Sequence, residues 1–187
     1  MKRNEQKSMT EWERVSSNDK TNEKRIEPNR IEEIPSFMLV GISTVTSNKA
    51  ELSKDGKIGK LFEQFHSQNI GEKLGVNIQE DGFYSCYFNY EQEEAGLYEV
   101  MASVQRQETL NLQNLNMIKA FTVPTAKYAV FVTEKGPIIE MVQRTWADIW
   151  QWSQQPGNNR AFTGDFEYYV NGINPEDGQA EIYISVK

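Results

Sequence analysis

Residues 166–170 read FEYYV and residues 180–186 read AEIYISV, and these two stretches decide how the end of the 187-residue chain folds. Aromatic and β-branched side chains dominate both, as is typical of β-strands. Asn-Pro and Asp-Gly steps, which favour turns, lie between them in residues 171–178. The sequence therefore predicts a β-hairpin whose strands run over residues 162–170 and 179–186.

A helix and two further strands precede this hairpin. Gly136-Pro137 indicates a helix start, because proline suits the first helical position. Residues 117–123 and 128–133, before that start, are strand-like. From the second of these strands onward, this half of the chain is thus predicted to fold as β-α-β-β. The predicted helix has one apolar face, formed by Ile139, Val142, Trp146 and Ile149.

The same order recurs earlier in the chain. Residues 37–46 predict a strand, and residues 57–68 predict a helix with apolar side chains at helical spacing. Residues 82–90 and 97–105 predict two more strands. The predicted fold class is α+β, with two β-α-β-β modules in tandem, although a single α+β fold without duplication would contain the same elements.

The first 33 residues differ in composition from the rest. They mix charged side chains with Asn, Ser and Thr, and carry as many basic as acidic groups. Such a segment buries too little apolar surface to offset the entropy cost of ordering. We expect residues 1–33 to form a disordered leader and residues 34–187 to form the folded domain. A helix that docks through Trp12 and Val15 is the alternative for the leader.

The net charge of −7 belongs to the predicted domain. It repels phosphate backbones, so direct nucleic-acid binding is not expected. One cysteine and one histidine provide neither a disulfide nor a zinc cluster, and we expect no metal and no cofactor. The sequence has no signal-peptide apolar region, no stretch long enough to cross a membrane, and no phosphate-loop, serine-hydrolase or zinc-protease motif. These features predict a soluble, cytoplasmic protein without membrane contact.

Acidic and aromatic side chains alternate in the two hairpin strands. The period of two places Glu167 and Tyr169 on one face of the first strand, and Glu181 and Tyr183 on one face of the second. If the other faces pack against the helices, both carboxylates share one surface, to which Tyr87 of an earlier strand can add. That surface is either an ordinary solvated sheet face or the lining of an aromatic cavity, which would suit lipophilic cations.

These residues also carry a family resemblance. The strand motif of residues 165–169, the closing strand 181–184 and the Trp146-x-x-Ile149-Trp150 helix resemble the GyrI-like small-molecule-binding domain. This domain is the effector-binding module of some AraC- and MerR-type multidrug regulators. The resemblance covers residues 34–187. Further matching positions are residues 87–91, Gly96, Tyr98, residues 128–131 and Gly136-Pro137.

The resemblance implies two modules related by pseudo-twofold symmetry, which form a curved antiparallel sheet around a ligand cleft. It places Glu167 at the floor of this cleft. Trp146 lies on the predicted apolar stripe, so core packing is favoured for it over a role in the cleft. Only residues 1–33 precede the module here, which favours a stand-alone, integron-cassette-like member over a regulator with its own helix-turn-helix domain. The predicted ligand-binding residues are Glu167, Tyr169, Glu181, Tyr183, Tyr87 and Trp150.

Three functions agree with this resemblance. The first, which we prefer, is a sensor or sequestering protein for a lipophilic, cationic or planar aromatic small molecule, with Glu167 as the counter-charge. The second is a hydrolase that opens strained cyclopropane rings of genotoxic compounds, with Glu167 as the general base. The third is a protein-partner role with gyrase as the partner, which the dispersed acidic residues favour least.

Overall fold

A computed structural model of the chain describes residues 25–107, 117–170 and 173–187. Within them, eight strands form one antiparallel sheet, and five helices accompany it. The strands are β1 (Arg30–Ile34), β2 (Phe37–Thr46), β3 (Phe83–Phe88), β4 (Tyr98–Arg106), β5 (Lys119–Val123), β6 (Ala126–Val132), β7 (Asp165–Tyr169) and β8 (Ala180–Val186). The helices are α1 (Asn48–Glu51), α2 (Ile58–Ser67), α3 (Ile70–Lys73), α4 (Ile78–Asp81) and α5 (Ile138–Ser153).

The strand order is β1-β6-β8-β7-β3-β4-β2-β5. Read outward from the central β3–β7 pair, one half runs β3-β4-β2 and the other runs β7-β8-β6. Both halves therefore place their second strand at the centre, their third strand next and their first strand outside. The predicted α+β class with two β-α-β-β units is confirmed, while the rotational symmetry between the units stays a prediction.

The sheet is strongly curled, as the positions of its edge strands require. β1 and β2 are the first and seventh strands of the order, yet only Pro35 and Ser36 join them. Two residues span about 7 Å, so strands near the two edges of the sheet must come together. The backbone N–H of Ser36 donates a hydrogen bond to Thr125 Oγ1 at 2.9 Å and links this corner to the β5–β6 corner. The predicted curved sheet is confirmed.

The concave face of the sheet is filled by its own side chains. The rings of Phe37 and Phe166 lie 5.3 Å apart, although β3 and β4 separate their strands. Flat strands at that separation would be about 14 Å apart. No ligand-sized space is needed to explain why this face is apolar, because it forms a core of buried side chains. These are Leu39, Cys86, Phe88, Met101, Val123, Tyr128, Val130, Phe166 and Tyr183.

The helices α2 and α5 cover the outer face. α2 buries Leu61 and Phe65 against β2, β3 and β4, whereas α5 packs on β6 and β8. The expected burial of Ile139 in α5 is wrong, since this residue is 73% exposed. At 3.6 residues per turn, Ile139 lies about 110° from the middle of the observed buried stripe. That stripe consists of Met141, Val142, Ile149 and Trp152.

The ordered sheet begins before the predicted domain boundary at residue 34. β1 starts at Arg30, which pairs with Val130 of β6. The side chain of Asn29 also accepts a hydrogen bond from the backbone N–H of Val132 at 2.8 Å. The sequence did not predict this strand, because its charged residues resemble those of the polar leader. In the structure, the charge of Arg30 is compensated by Glu181 on β8. The predicted leader lies mainly outside the described residues, as do Trp12 and Val15.

No helix in the described parts of the chain combines the length and apolar character needed to span a membrane. The short helices α1, α3 and α4 were not expected from the sequence.

Candidate functional site

Glu167 lies at the centre of the sheet. It is the third residue of β7, and its register partners are Ser85 on β3 and Ile182 on β8. The alternation of side chains along β7 directs Glu167 and Tyr169 to the outer, helix-bearing face. Glu167 is only 2% exposed. The strand pattern therefore places a carboxylate in the layer between the sheet and its helices.

Three neutral groups donate hydrogen bonds to this carboxylate. Tyr87 Oη and Trp146 Nε1 donate to Glu167 Oε1 at 2.8 and 2.6 Å. Tyr169 Oη donates to Glu167 Oε2 at 2.6 Å. The hydroxyl of Ser85 lies directly opposite on β3 and also lowers the pKa of Glu167. In the same part of the chain, no Lys, Arg or His forms an ion pair with Glu167.

Burial raises the pKa of Glu167 above its usual value, because a carboxylate loses solvation in this layer. The hydrogen bonds from Tyr169, Trp146 and Tyr87 act in the opposite direction but do not cancel this effect. Burial and the nearby carboxylate also raise the pKa values of both tyrosines well above their usual range. The phenols therefore remain neutral donors, and the described residues place no cation beside this carboxyl group.

Aromatic rings flank Glu167 on two sides. Toward α2, Tyr169 stacks on Phe83 with ring centroids 4.6 Å apart, and Phe62 packs against both rings. Toward α5, the ring of Trp146 meets Tyr87 at 5.3 Å. Trp150 is half-buried one turn further along α5, with its ring 6.4 Å from that of Trp146. We call Glu167, its three donors and these neighbouring rings the Glu167 site.

Glu181 and Tyr183 lie on the opposite face of the sheet. Because Glu167 pairs with Ile182, it shares a face with Ile182 and not with Glu181. Tyr183 instead stacks on Phe166 at 4.4 Å in the concave core. The prediction that both carboxylates share one surface is therefore wrong. The prediction assumed that Phe166 faces the helices. In the structure Glu167 faces them, and Phe166 faces the concave core.

Glu181 already has a cationic partner. Arg30 donates from both terminal nitrogens to its two oxygens at 3.0 Å each, and also to Tyr183 Oη at 3.0 Å. The Arg30 guanidinium lowers the pKa of Glu181. Arg30 also contacts Glu32 through Nε at 3.1 Å. We call Arg30, Glu32, Glu181 and Tyr183 the Arg30 cluster.

A buried arginine adjoins the Glu167 site and was not recognised in the sequence. Arg160 donates to Asp165 Oδ2 at 2.6 Å and to Glu94 Oε1 at 2.8 Å. Its guanidinium lies over the rings of Phe162 and Trp146, at 4.4 and 5.9 Å from their centroids. A surface cleft of about 420 Å³ is lined by Glu94, Arg160 and Phe162, among others. Phe162 and Asp165 are local to Arg160, but Glu94 lies 66 residues away, and no local sequence pattern indicates that an arginine here is buried.

Trp146 is the second residue whose role differs from expectation. The sequence favoured core packing, and the indole indeed packs against the buried apolar side chains under α2 and against those under α5. It also donates a hydrogen bond to Glu167.

The described residues contain no group of three or more His, Cys, Asp or Glu side chains arranged to hold a metal.

Comparisons with known proteins agree with this fold. The Bacillus subtilis protein YobU is 33% identical over 152 residues, which cover 79% of this chain and 90% of YobU. The crystal structure of an integron cassette protein from Vibrio cholerae is 30% identical, with a TM-score of 0.68 over 84% of this chain and 95% of that one. The structure of SAV2435 bound to tetraphenylphosphonium is 19% identical, with a TM-score of 0.67 over 84% of this chain and 93% of that one.

The first two relatives share enough sequence to indicate common ancestry, whereas the likeness to SAV2435 shows the fold alone. Residues 30–186 match the family described as Cass2, integron-associated effector binding protein. The predicted resemblance to GyrI-like, effector-binding proteins is confirmed. This chain belongs to the Cass2 family of integron-associated effector-binding proteins.

Proposed function

We propose that this protein binds lipophilic organic cations and that Glu167 supplies the counter-charge. The observation that carries the proposal is a carboxylate that is 2% exposed and has no cationic partner among the described residues. A buried charge without a partner is costly, and its raised pKa reflects that cost. A bound cation would compensate this charge, as Arg30 does for Glu181.

The surrounding rings support the same class of ligand. Tyr87, Tyr169 and Trp150 provide aromatic surface, which attracts cations through the ring faces and buries apolar substituents. The net charge of −7 favours the approach of a cation. The relative SAV2435, which shares the fold, was solved with a lipophilic cation. We do not include Glu181 and Tyr183 in the proposed site, because they face the other side of the sheet.

Calorimetric titration with tetraphenylphosphonium tests this proposal. We expect wild type to bind, and Glu167→Gln to raise the Kd by at least about 30-fold, since loss of a buried counter-charge commonly costs 2 kcal/mol or more. Gln is nearly isosteric and keeps acceptor capacity for the phenols. Glu181→Gln is the matched control and should change the Kd by less than about threefold. Equal binding by wild type and Glu167→Gln would contradict the role of Glu167.

Hydrolysis is the second candidate, and the raised pKa of Glu167 is the observation that favours it. A carboxylate whose pKa is raised toward the working pH is a better general base. Incubation with a cyclopropane-bearing genotoxic compound, followed by mass spectrometry, separates the two functions. A binding protein returns the compound unchanged, whereas a hydrolase returns it with one added water. Catalysis by wild type that is lost in Glu167→Gln would replace the binding proposal.

A further inference from the structure

A cation can reach Glu167 only if one of the three donors moves, because the carboxylate is almost fully covered. Tyr87 is 8% exposed on the central strand β3. Tyr169 is held face to face with Phe83, with the two ring planes 6° apart. Trp146 alone of the three belongs to a helix of the outer layer, and it is only half-buried.

We propose that Trp146 occupies the position of the ligand's cationic group in the free protein and must leave Glu167 for binding to occur. The inference rests on the proposed cation binding. The indole N–H contacts Glu167 Oε1 at 2.6 Å and is polarised positive, so it acts as an internal substitute for a cation. Trp146 thus sets the affinity of the site through its hydrogen bond to Glu167.

Arg160 is the positioning residue for Trp146. Its guanidinium carbon lies 5.9 Å from the centroid of the indole ring and 4.4 Å from that of the Phe162 ring. Asp165 and Glu94 fix the guanidinium through hydrogen bonds of 2.6 and 2.8 Å. Since these two carboxylates also compensate its charge, Arg160 acts on Trp146 through its position rather than as a free cation.

The backbone at Phe162 supports this assignment. Phe162 has a φ of 54°, a left-handed conformation that is rare for an aromatic residue and costs free energy. That conformation places the Phe162 ring 4.4 Å from the Arg160 guanidinium. The fold therefore maintains a strained residue where it holds Arg160 against Trp146. This arrangement helps to hold the indole against Glu167.

Trp146→Phe tests the first part, because phenylalanine keeps an aromatic ring but has no N–H. Titrated with tetraphenylphosphonium, this variant should bind about tenfold more tightly than wild type, which is near the lower end of what a hydrogen bond to a charged group contributes. Trp152→Phe, on the same helix but packed against Phe131 outside the Glu167 site, is the matched control and should stay within about threefold. Weaker binding by Trp146→Phe would overturn the proposal, because Trp146 would then contact the bound cation.

Arg160→Lys tests the positioning role. Lysine keeps the charge next to Asp165 but lacks the planar guanidinium that lies near the indole ring. We expect the association rate of tetraphenylphosphonium, measured by stopped-flow fluorescence, to rise several-fold. A purely structural role for Arg160 would lower the melting temperature and leave this rate unchanged, and that outcome would overturn the assignment. Absence of cation binding by wild type would instead remove the proposed function itself, together with this inference.

Discussion

Glu167 and Glu181 lie on neighbouring strands but face opposite sides of the sheet and have opposite surroundings. Glu167 accepts hydrogen bonds from three neutral donors and is 2% exposed. The side chain of Glu181 is 27% exposed and is held by both terminal nitrogens of Arg30. Burial raises the pKa of the first carboxyl, and Arg30 lowers that of the second. Similar motifs thus give one carboxylate that Arg30 neutralises within the fold and one that has no cationic partner among the described residues.

The largest expected difference between the two carboxylates is in the pH dependence of cation binding. Only the ionised form of Glu167 attracts a cation, and its raised pKa means that protons compete for it above the usual carboxyl range. At pH values below that pKa, the Kd for tetraphenylphosphonium should rise about tenfold for each unit by which the pH falls. Calorimetric titrations between neutral pH and about pH 4.5 measure this slope.

Glu181 provides the control for this titration. Its pKa is lowered, so it stays ionised through the same window, and Glu181→Gln should reproduce the wild-type curve. Any residual binding by Glu167→Gln should show no slope. A wild-type Kd that is constant over the whole range would mean that Glu167 is not the counter-charge.

A second, smaller difference concerns folding stability. Arg30→Met removes the hydrogen bonds to Glu181, Tyr183 and Glu32 and leaves Glu181 partly buried without its cation. We expect the free energy of unfolding, measured with urea, to fall by about 2 kcal/mol, which is more than an exposed ion pair contributes. Part of this loss reflects weaker docking of β1, because Arg30 is its first residue.

Glu167→Gln should act in the other direction on stability. It removes a buried charge that has no cationic partner among the described residues, so its free energy of unfolding at neutral pH should equal or exceed that of wild type.

If Arg30→Met were as stable as wild type, the Arg30 cluster would not hold Glu181, and the contrast between the two carboxylates would disappear.

The sequence predicted the two β-α-β-β units but not the side of the sheet that Glu167 faces. Alternation in β7 separates Glu167 and Tyr169 from Phe166 and Tyr168, but it does not say which pair faces the helices. The usual rule assigns the apolar side to the core. Here both sides of β7 are buried, one under the helices and one in the curled interior, so the rule cannot choose between them.

Partners that are distant in the sequence were also beyond local patterns. Glu181 was expected to bind a ligand, but its partner Arg30 lies 151 residues earlier, within the predicted leader. Glu167 was singled out because an acidic residue in an aromatic strand is unusual whatever its partners, and its role in binding stays a prediction. Trp146 was assigned to the core because helical periodicity reports the buried face and not individual hydrogen bonds.

The smallest predicted effect comes from a second ion pair that resembles the Arg30 cluster by position. Arg30 is the first residue of β1 and binds Glu181, the second residue of β8. In the same way, Lys119 is the first residue of β5 and binds Glu99, the second residue of β4, at 2.6 Å. Lys119 is a single point charge on a side chain that is 59% exposed, and Glu99 keeps hydrogen bonds from Ser43 and Asn89 without it.

Lys119→Met should therefore lower the free energy of unfolding by only about 0.5 kcal/mol, as is typical of exposed pairs. Urea titrations at low and high salt check this value, since screening should remove most of the effect. A loss as large as that of Arg30→Met would show that position in the sheet, rather than burial and bidentate geometry, determines what each pair contributes. Any basic residue at the start of such a strand would then suffice to neutralise the carboxylate that it contacts. Glu167 would differ from Glu181 and Glu99 only in having no basic partner among the described residues.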